Sequence, residues 1–209
     1  HTTLLFSSNN EESREENLHF LDLNRERGTL NIRRMTTGKD AKVLPSFTQH
    51  GSELEVVYRQ QAKLMQTTLP TATEPVVAPR SLGEGQEATW SRDGRLLALI
   101  RDHEDSHGLF ARDPQTQREI QLFAEPDRLI RNASWSPDGR LIACFSRPRN
   151  QLAWEMWVCP VMHNSQPRKV VAAVRVDEDF RQIGPSWSAD GRRIWYLPAE
   201  GEQGYYPMA

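Results

Sequence analysis

Along most of the chain the apolar positions come in short runs rather than at helical spacing. Leu96-Leu-Ala-Leu-Ile, Leu141-Ile-Ala-Cys-Phe and Ile194-Trp-Tyr-Leu are nearly continuous apolar runs, the pattern of strands covered on both faces. Around them lie segments of mixed or alternating polarity that read as further strands: Thr2-Thr-Leu-Leu-Phe-Ser-Ser, Asn17-Leu-His-Phe-Leu-Asp-Leu, Thr29-Leu-Asn-Ile-Arg-Arg-Met, Gly108-Leu-Phe-Ala-Arg, Arg118-Glu-Ile-Gln-Leu-Phe, Trp154-Glu-Met-Trp-Val-Cys and Arg168-Lys-Val-Val-Ala-Ala-Val. No segment carries the stripe of a long amphipathic helix. Thr67 to Pro79 contains three prolines and is expected to be an irregular outer strand or a loop.

The runs sit at fixed places in an internal repeat. Ala88-Thr-Trp-Ser-Arg-Asp-Gly-Arg-Leu-Leu-Ala, Ala133-Ser-Trp-Ser-Pro-Asp-Gly-Arg-Leu-Ile-Ala and Pro185-Ser-Trp-Ser-Ala-Asp-Gly-Arg-Arg-Ile-Trp align without gaps. A weaker copy is Pro45-Ser-Phe-Thr-Gln-His-Gly, followed by Leu54-Glu-Val-Val-Tyr. The aromatic anchors Phe47, Trp90, Trp135 and Trp187 stand 43, 45 and 52 residues apart, a period that fits one four-stranded propeller blade. In Ser136-Pro-Asp-Gly139 the proline presets the backbone angle, the aspartate bonds back to turn amides, and the glycine takes the left-handed conformation without steric cost. The tryptophan ahead of each turn offers a large surface to fill the gap between neighbouring blades.

These residues resemble the WD40-like repeats of TolB and related bacterial proteins. Beside the three Trp-Ser-x-Asp-Gly copies, the stretches Leu4-Leu-Phe-Ser-Ser, Asn17-Leu-His-Phe-Leu-Asp-Leu, Met35-Thr-Thr-Gly and Leu44-Pro-Ser-Phe-Thr-Gln-His-Gly carry the likeness, which covers nearly the whole chain. It implies an all-β propeller of four-stranded antiparallel blades. It also implies a place in the periplasm or at the cell envelope and a protein partner as the object of binding. Such repeats also form the propellers of prolyl-oligopeptidase-like and tricorn-like serine peptidases, so the alternative reading is a peptidase propeller whose catalytic domain is absent from this chain. His50, ahead of Gly51, stands where the family pattern has aspartate, which weakens that turn.

Residues 1–209 are read as one run of about four to five blade segments, with blade starts near 45, 88, 133 and 185. A ring closes when strands from both termini complete a shared blade. Seventeen or eighteen strands are not a multiple of four, so the chain is expected to be part of a larger propeller. A closed four-bladed ring with spare strands and a blade edge covered by a partner are the other solutions.

Twenty-six basic against 28 acidic side chains leave a formal net charge of −2. That balance gives no global pull toward nucleic acid or anionic lipid, and no apolar run approaches the roughly 20 residues of a membrane span. Two cysteines, Cys144 and Cys159, make neither a disulfide framework nor a zinc site. They are expected as free, mostly buried thiols, with the strand register deciding whether they share a face.

No nucleophile elbow, glycine-rich phosphate loop or His-Glu-x-x-His run is present, so no catalytic residue, metal or cofactor is assigned. The anchors Phe47, Trp90, Trp135 and Trp187 are expected in the core, because a binding platform would not need copying in every blade. The turn pairs Asp93-Gly94, Asp138-Gly139 and Asp190-Gly191, together with Gly51, are assigned to structure. Asp102-His-Glu-Asp-Ser-His107 is expected to be a solvated hairpin tip, in the loop between the second and third strands of its blade. Loops of that kind share a propeller face with the connections between blades. This puts His103, Asp105, His107, Arg131, Arg147 and Arg149 on one candidate partner-binding face, and makes a non-catalytic binding scaffold the first functional reading.

Overall fold

A computed structural model of the chain describes residues 3–9, 16–22, 31–50, 53–70, 78–103, 106–162, 164, 166–176, 184–199 and 205–207. Every regular element among them is a strand, and the contacts divide the chain into two units, His1–Glu84 and Gly85–Ala209.

The first unit holds a three-stranded antiparallel sheet of β1 (Thr3–Asn9), β2 (Glu16–Asp22) and β3 (Asn31–Arg34). Beside it lies a four-stranded sheet of β4 (Lys42–His50), β5 (Glu53–Gln60), β6 (Lys63–Pro70) and β7 (Arg80–Glu84). Leu18 and Phe20 of β2 pack with Leu54, Val56 and Tyr58 of β5, and half-buried Phe47 joins them. β4 keeps its pairing through His50, opposite Glu53; Gly51 lies outside the described residues.

The expectation of irregular chain from Thr67 fails at its start. Thr67 and Thr68 belong to β6 and pair with Val56 and Glu55, and β7 follows as a strand with no counterpart in the sequence reading. The cause is that β6 buries polar side chains. Gln66 is buried, donating to Glu55 (3.1 Å) and accepting from Arg80 of β7 (2.9 Å). Satisfied polar burial leaves no apolar periodicity to detect. Residues 71–77, with Pro75, lie outside the described residues.

The second unit contains two four-stranded antiparallel sheets and one of three strands. The first comprises β8 (Glu87–Trp90), β9 (Leu97–His103), β10 (Ser106–Arg112) and β11 (Glu119–Ala124). The second comprises β12 (Arg128–Trp135), β13 (Leu141–Pro148), β14 (Trp154–Pro160) and β15 (Arg168–Val174). The third comprises β16 (Ser186–Trp187), β17 (Arg193–Trp195) and β18 (Tyr205–Pro207). Each apolar run after an Asp-Gly turn is the second strand of its sheet. Ile100, Leu109, Ile130, Ile142 and Cys144 fill one core between the first two sheets. Phe145, Trp154, Met156 and Ile194 fill the next.

The three turns are built alike, with a buried or half-buried serine as hub. Ser136 Oγ donates to Asp138 Oδ1 (2.6 Å) and accepts from the Leu141 amide (2.9 Å), while Asp138 Oδ1 accepts from the Arg140 amide (3.1 Å). Ser91 with Asp93 and Ser188 with Asp190 repeat the scheme. Gly94, Gly139 and Gly191 take φ of +69° to +70°, the left-handed position that lets the hairpin close. The hydrogen bond from the serine hydroxyl, helped by the turn amides, holds all three carboxyls below the ordinary aspartate range.

Trp90 and Trp135 are buried and Trp187 is half-buried. Their indoles do more than fill space. Trp135 Nε1 donates to the Thr89 carbonyl (3.1 Å) and Trp187 Nε1 to the Ser134 carbonyl (3.0 Å). In both cases the acceptor immediately precedes the tryptophan of the previous sheet, so each inner strand is tied to its predecessor. Gly184 continues this contact, since a Cβ there would stand 2.8 Å from Asn132 Cβ.

Candidate functional site

The described candidate residues converge at one end of the second unit, opposite the Asp-Gly turns, where β9 passes to β10 and β13 to β14. The structure corrects the reading of residues 102–107 as a solvated tip. Pairing continues through Asp102↔His107 and His103↔Ser106, so all four are strand residues. Asp105 lies outside the described residues. His107 is buried rather than exposed, because its ring reaches the neighbouring sheet: Nδ1 lies 3.0 Å from the Ile130 carbonyl oxygen and 3.2 Å from the Ile130 amide nitrogen. Its Nε2 is 3.4 Å from Asp102 Oδ1. Burial lowers the pKa of His107, and the charges of Arg149 and Arg131 oppose the raising effect of Ile130 and Asp102. A neutral imidazole can accept from the Ile130 amide and donate toward Asp102, which makes it a link between sheets.

Arg131, Arg147 and Trp154 form a layered cluster on the other face of the β12–β15 sheet. The register sets Arg131 opposite Phe145 and Leu129 opposite Arg147, which puts Arg131 and Arg147 on one face. The Trp154 ring is 4% exposed and serves as the floor. The Arg147 guanidinium lies 4.9 Å from its centroid and that of Arg131 5.4 Å, within cation–π range. Arg147 is only half exposed because it also organises the turn beneath it, donating to the carbonyls of Pro148 (3.5 Å), Arg149 (3.3 Å) and Gln151. The Arg149 amide is held by the Asp127 carbonyl at 2.7 Å. Beyond them, Leu152 is 92% exposed.

Sequence reasoning missed three parts of this region. Trp154 was read only as a strand residue and Leu152 as nothing at all. The third part is a largely buried ionic network across the four strands of the β12–β15 sheet: Arg128 Nη2 donates to Glu155, Arg128 Nε to Ser146 Oγ (3.0 Å), Lys169 Nζ to Glu155 Oε1 (2.9 Å) and Trp157 Nε1 to Glu155 Oε2 (3.0 Å). The available signal was Glu155 itself, a carboxylate between apolar residues in a strand with both faces covered, where charges are rare unless paired. Burial pushes its pKa up, and the bonds from Lys169, Arg128 and Trp157 outweigh that and hold it below the ordinary range.

At the opposite end, a cavity of about 440 Å³ opens between the Asp138 and Asp190 turns, with Arg92, Leu141 and Trp187 among its lining residues.

Antiparallel sheets repeated along the chain, three of them with the same Asp-Gly hairpin between their first two strands, define a β-propeller fold. It is a TolB-like propeller fold, as two solved TolB structures indicate, and a peptidase shares it. TolB from Acinetobacter baumannii matches 97% of this chain at 19% identity and a TM-score of 0.70, and the match covers 47% of that protein. A TolB-like protein from Agrobacterium tumefaciens matches 96% of the chain at 18% identity and a TM-score of 0.63, covering 72% of its own length. A prolyl endopeptidase matches 93% of the chain at 14% identity and a TM-score of 0.61, with 30% of that protein covered. The chain thus spans about half the length of the Acinetobacter protein. No family model matches the sequence, and no curated protein matches it.

Proposed function

We propose that this chain acts as a non-catalytic, protein-binding scaffold of the bacterial cell envelope, presenting the end of its blades that carries Arg131, Arg147 and Arg149 to a partner protein. The observation that carries this reading is the preorganised turn after β13. Its backbone is fixed by Arg147 and by the Asp127 carbonyl, while Arg149 and Leu152 project into solvent. A fixed backbone lowers the ordering cost of association, and arginine is a favoured interface residue. The likeness to TolB proteins supports an envelope location and membership of a complex. His103 and Asp105 remain candidate contacts at the tip between β9 and β10; His107 supports that tip from below.

The test is affinity capture from cells of the native host. Arg149→Glu should weaken recovery of the partner while leaving the melting temperature unchanged, and an undiminished recovery would defeat the proposal. The second reading, a peptidase propeller, draws on the prolyl endopeptidase likeness. A fluorophosphonate probe applied to the protein at its native length would label a serine nucleophile under that reading, and would leave the protein unlabelled under the first.

A further inference from the structure

We infer that the Arg131–Arg147–Trp154 cluster, with Arg149 and Leu152, is a docking site for an acidic peptide segment that carries an apolar side chain beside its carboxylates. The inference rests on the scaffold reading and supplies the chemistry of the partner.

Charge complementarity carries it. Arg131 and Arg147 lie within about 5 Å of one buried indole, and neither pairs with a carboxylate among the described residues. The Arg131 side chain makes no hydrogen bond among the described residues either, and Arg147 Nε is buried without a partner. Contrast Arg128, on the opposite face of the same sheet, which meets Glu155, Glu125 and Ser146. Arg128 meets carboxylates where it serves the core, and the two arginines over Trp154 meet none among the described residues. Stacking on the indole holds the Arg131 fork in place while leaving its donors for a carboxylate, the geometry in which arginine recognises carboxylates with two parallel bonds, while Arg147, whose Nη1 serves its own turn, adds positive charge beside it. The positive field extends toward β10, where Arg149 and Arg131 both depress the protonation of buried His107.

The apolar half of the ligand follows from Leu152. At 92% exposure it stands alone at the tip of a turn whose backbone is held by Arg147 and Asp127. It follows directly on Gln151, whose carbonyl accepts from Arg147, so it offers an apolar contact close in the chain to the carboxylate site. An acidic residue followed within a few positions by Leu or Phe would engage both. A nucleic acid or an anionic membrane would answer the charge but would leave Leu152 without a specific contact.

The experiment uses the whole chain and a fluorescein-labelled peptide that alternates Asp or Glu with Leu or Phe, read by fluorescence anisotropy. Its control is the isosteric peptide with Asn and Gln in place of the acids. The acidic peptide should bind at least roughly tenfold tighter than the amide peptide, a difference of about 1.4 kcal/mol, and its affinity should fall as salt is raised. Arg131→Gln and Arg149→Glu should each weaken binding about tenfold, equal to about 1.4 kcal/mol. Leu152→Ser should weaken it by a smaller factor, and Arg192→Glu on the Asp-Gly face should leave it unchanged. Melting temperatures of the variants separate lost binding from lost folding, with Arg131→Lys as the milder replacement if Arg131→Gln unfolds. Equal binding of both peptides, or tighter binding of single-stranded RNA or phosphatidylglycerol vesicles, would overturn the inference. If the acidic peptide does not bind while the native partner is still captured, this inference falls and the scaffold reading stands. If no native partner binds wild-type protein, the scaffold reading itself falls.

Discussion

Removing both members of the Arg128–Glu155 pair is expected to cost less than the sum of removing each alone. The Arg128 side chain is 11% exposed and that of Glu155 12%, and the pair joins β12 to β14 across β13. Breaking a buried pair typically costs about 3–5 kcal/mol, because the partner is left charged and unpaired. Glu155→Gln strands the Arg128 cation, with Ser146 Oγ at 3.0 Å and the half-exposed Glu125 at 3.6 Å as its remaining partners. Those partners bring the expected loss to the low end, about 3 kcal/mol. Arg128→Met leaves Glu155 with Lys169 and Trp157, so its loss is expected to be smaller, about 2 kcal/mol. The double variant Arg128→Met with Glu155→Leu removes both charges and is expected to lose less than the sum by about 1–3 kcal/mol. Urea unfolding followed by tryptophan fluorescence reads this directly: at a slope of about 2 kcal/mol per molar, Glu155→Gln should move the midpoint down by about 1.5 M. Strict additivity, or single-variant losses below about 0.5 kcal/mol, would refute the claim that this pair is buried and coupled.

Ser136→Ala should cost about 1–2 kcal/mol and exceed Asp138→Ala, because the buried serine serves both turn strands while the Asp138 side chain is 61% exposed; equal melting shifts would contradict the hub role. The lowered pKa of Asp93, Asp138 and Asp190 has a definite sign. Their contribution is fully present above the ordinary aspartate pKa of about 3.9 and is lost as pH falls through the lower folded values, so the three Asp→Asn variants should lose the acid limb of the melting profile that wild type shows. Gly184→Ala should destabilise by about 1–3 kcal/mol, since its methyl would meet Asn132 Cβ at 2.8 Å; an unchanged melt would mean that the inner strands are not in contact there. Cys144 and Cys159 should both be alkylated without reductant under denaturing conditions and resist labelling when folded, because both are buried free thiols; failure to label the denatured chain would indicate a disulfide.

The repeat made the inner strands legible, since a hairpin needs the same residues each time it is built and the copies report one another. Trp135 and Trp187 were readable as packing anchors for that reason. Their indole bonds to the Thr89 and Ser134 carbonyls were not, because the acceptor is backbone and leaves no mark in side-chain identity. The cysteine register was open in the sequence. The structure sets Cys159 opposite Ile142, so both thiols face the same core, and the Cys159 neighbour and burial push the Cys144 thiol well up. β6 was hidden because Gln66 and Thr67 are buried polar residues, and hydropathy cannot distinguish a satisfied buried amide from an exposed one. The candidate face was legible as charge and not as geometry. Arg147 looked like a surface contact, yet it stacks on Trp154 and staples its own turn. His107 looked like part of a loop and is a buried link to Ile130.

Partners are expected to meet the end of the blades where β9 passes to β10 and β13 to β14. Crosslinking mass spectrometry on the protein captured with its native partner tests this most directly. Crosslinks and protected residues should concentrate on segments 101–107 and 147–153 around Arg149 and Leu152. Crosslinks concentrated instead at the Asp-Gly turns near Asp138 and Asp190, or along the outer strands β11 and β15, would contradict it.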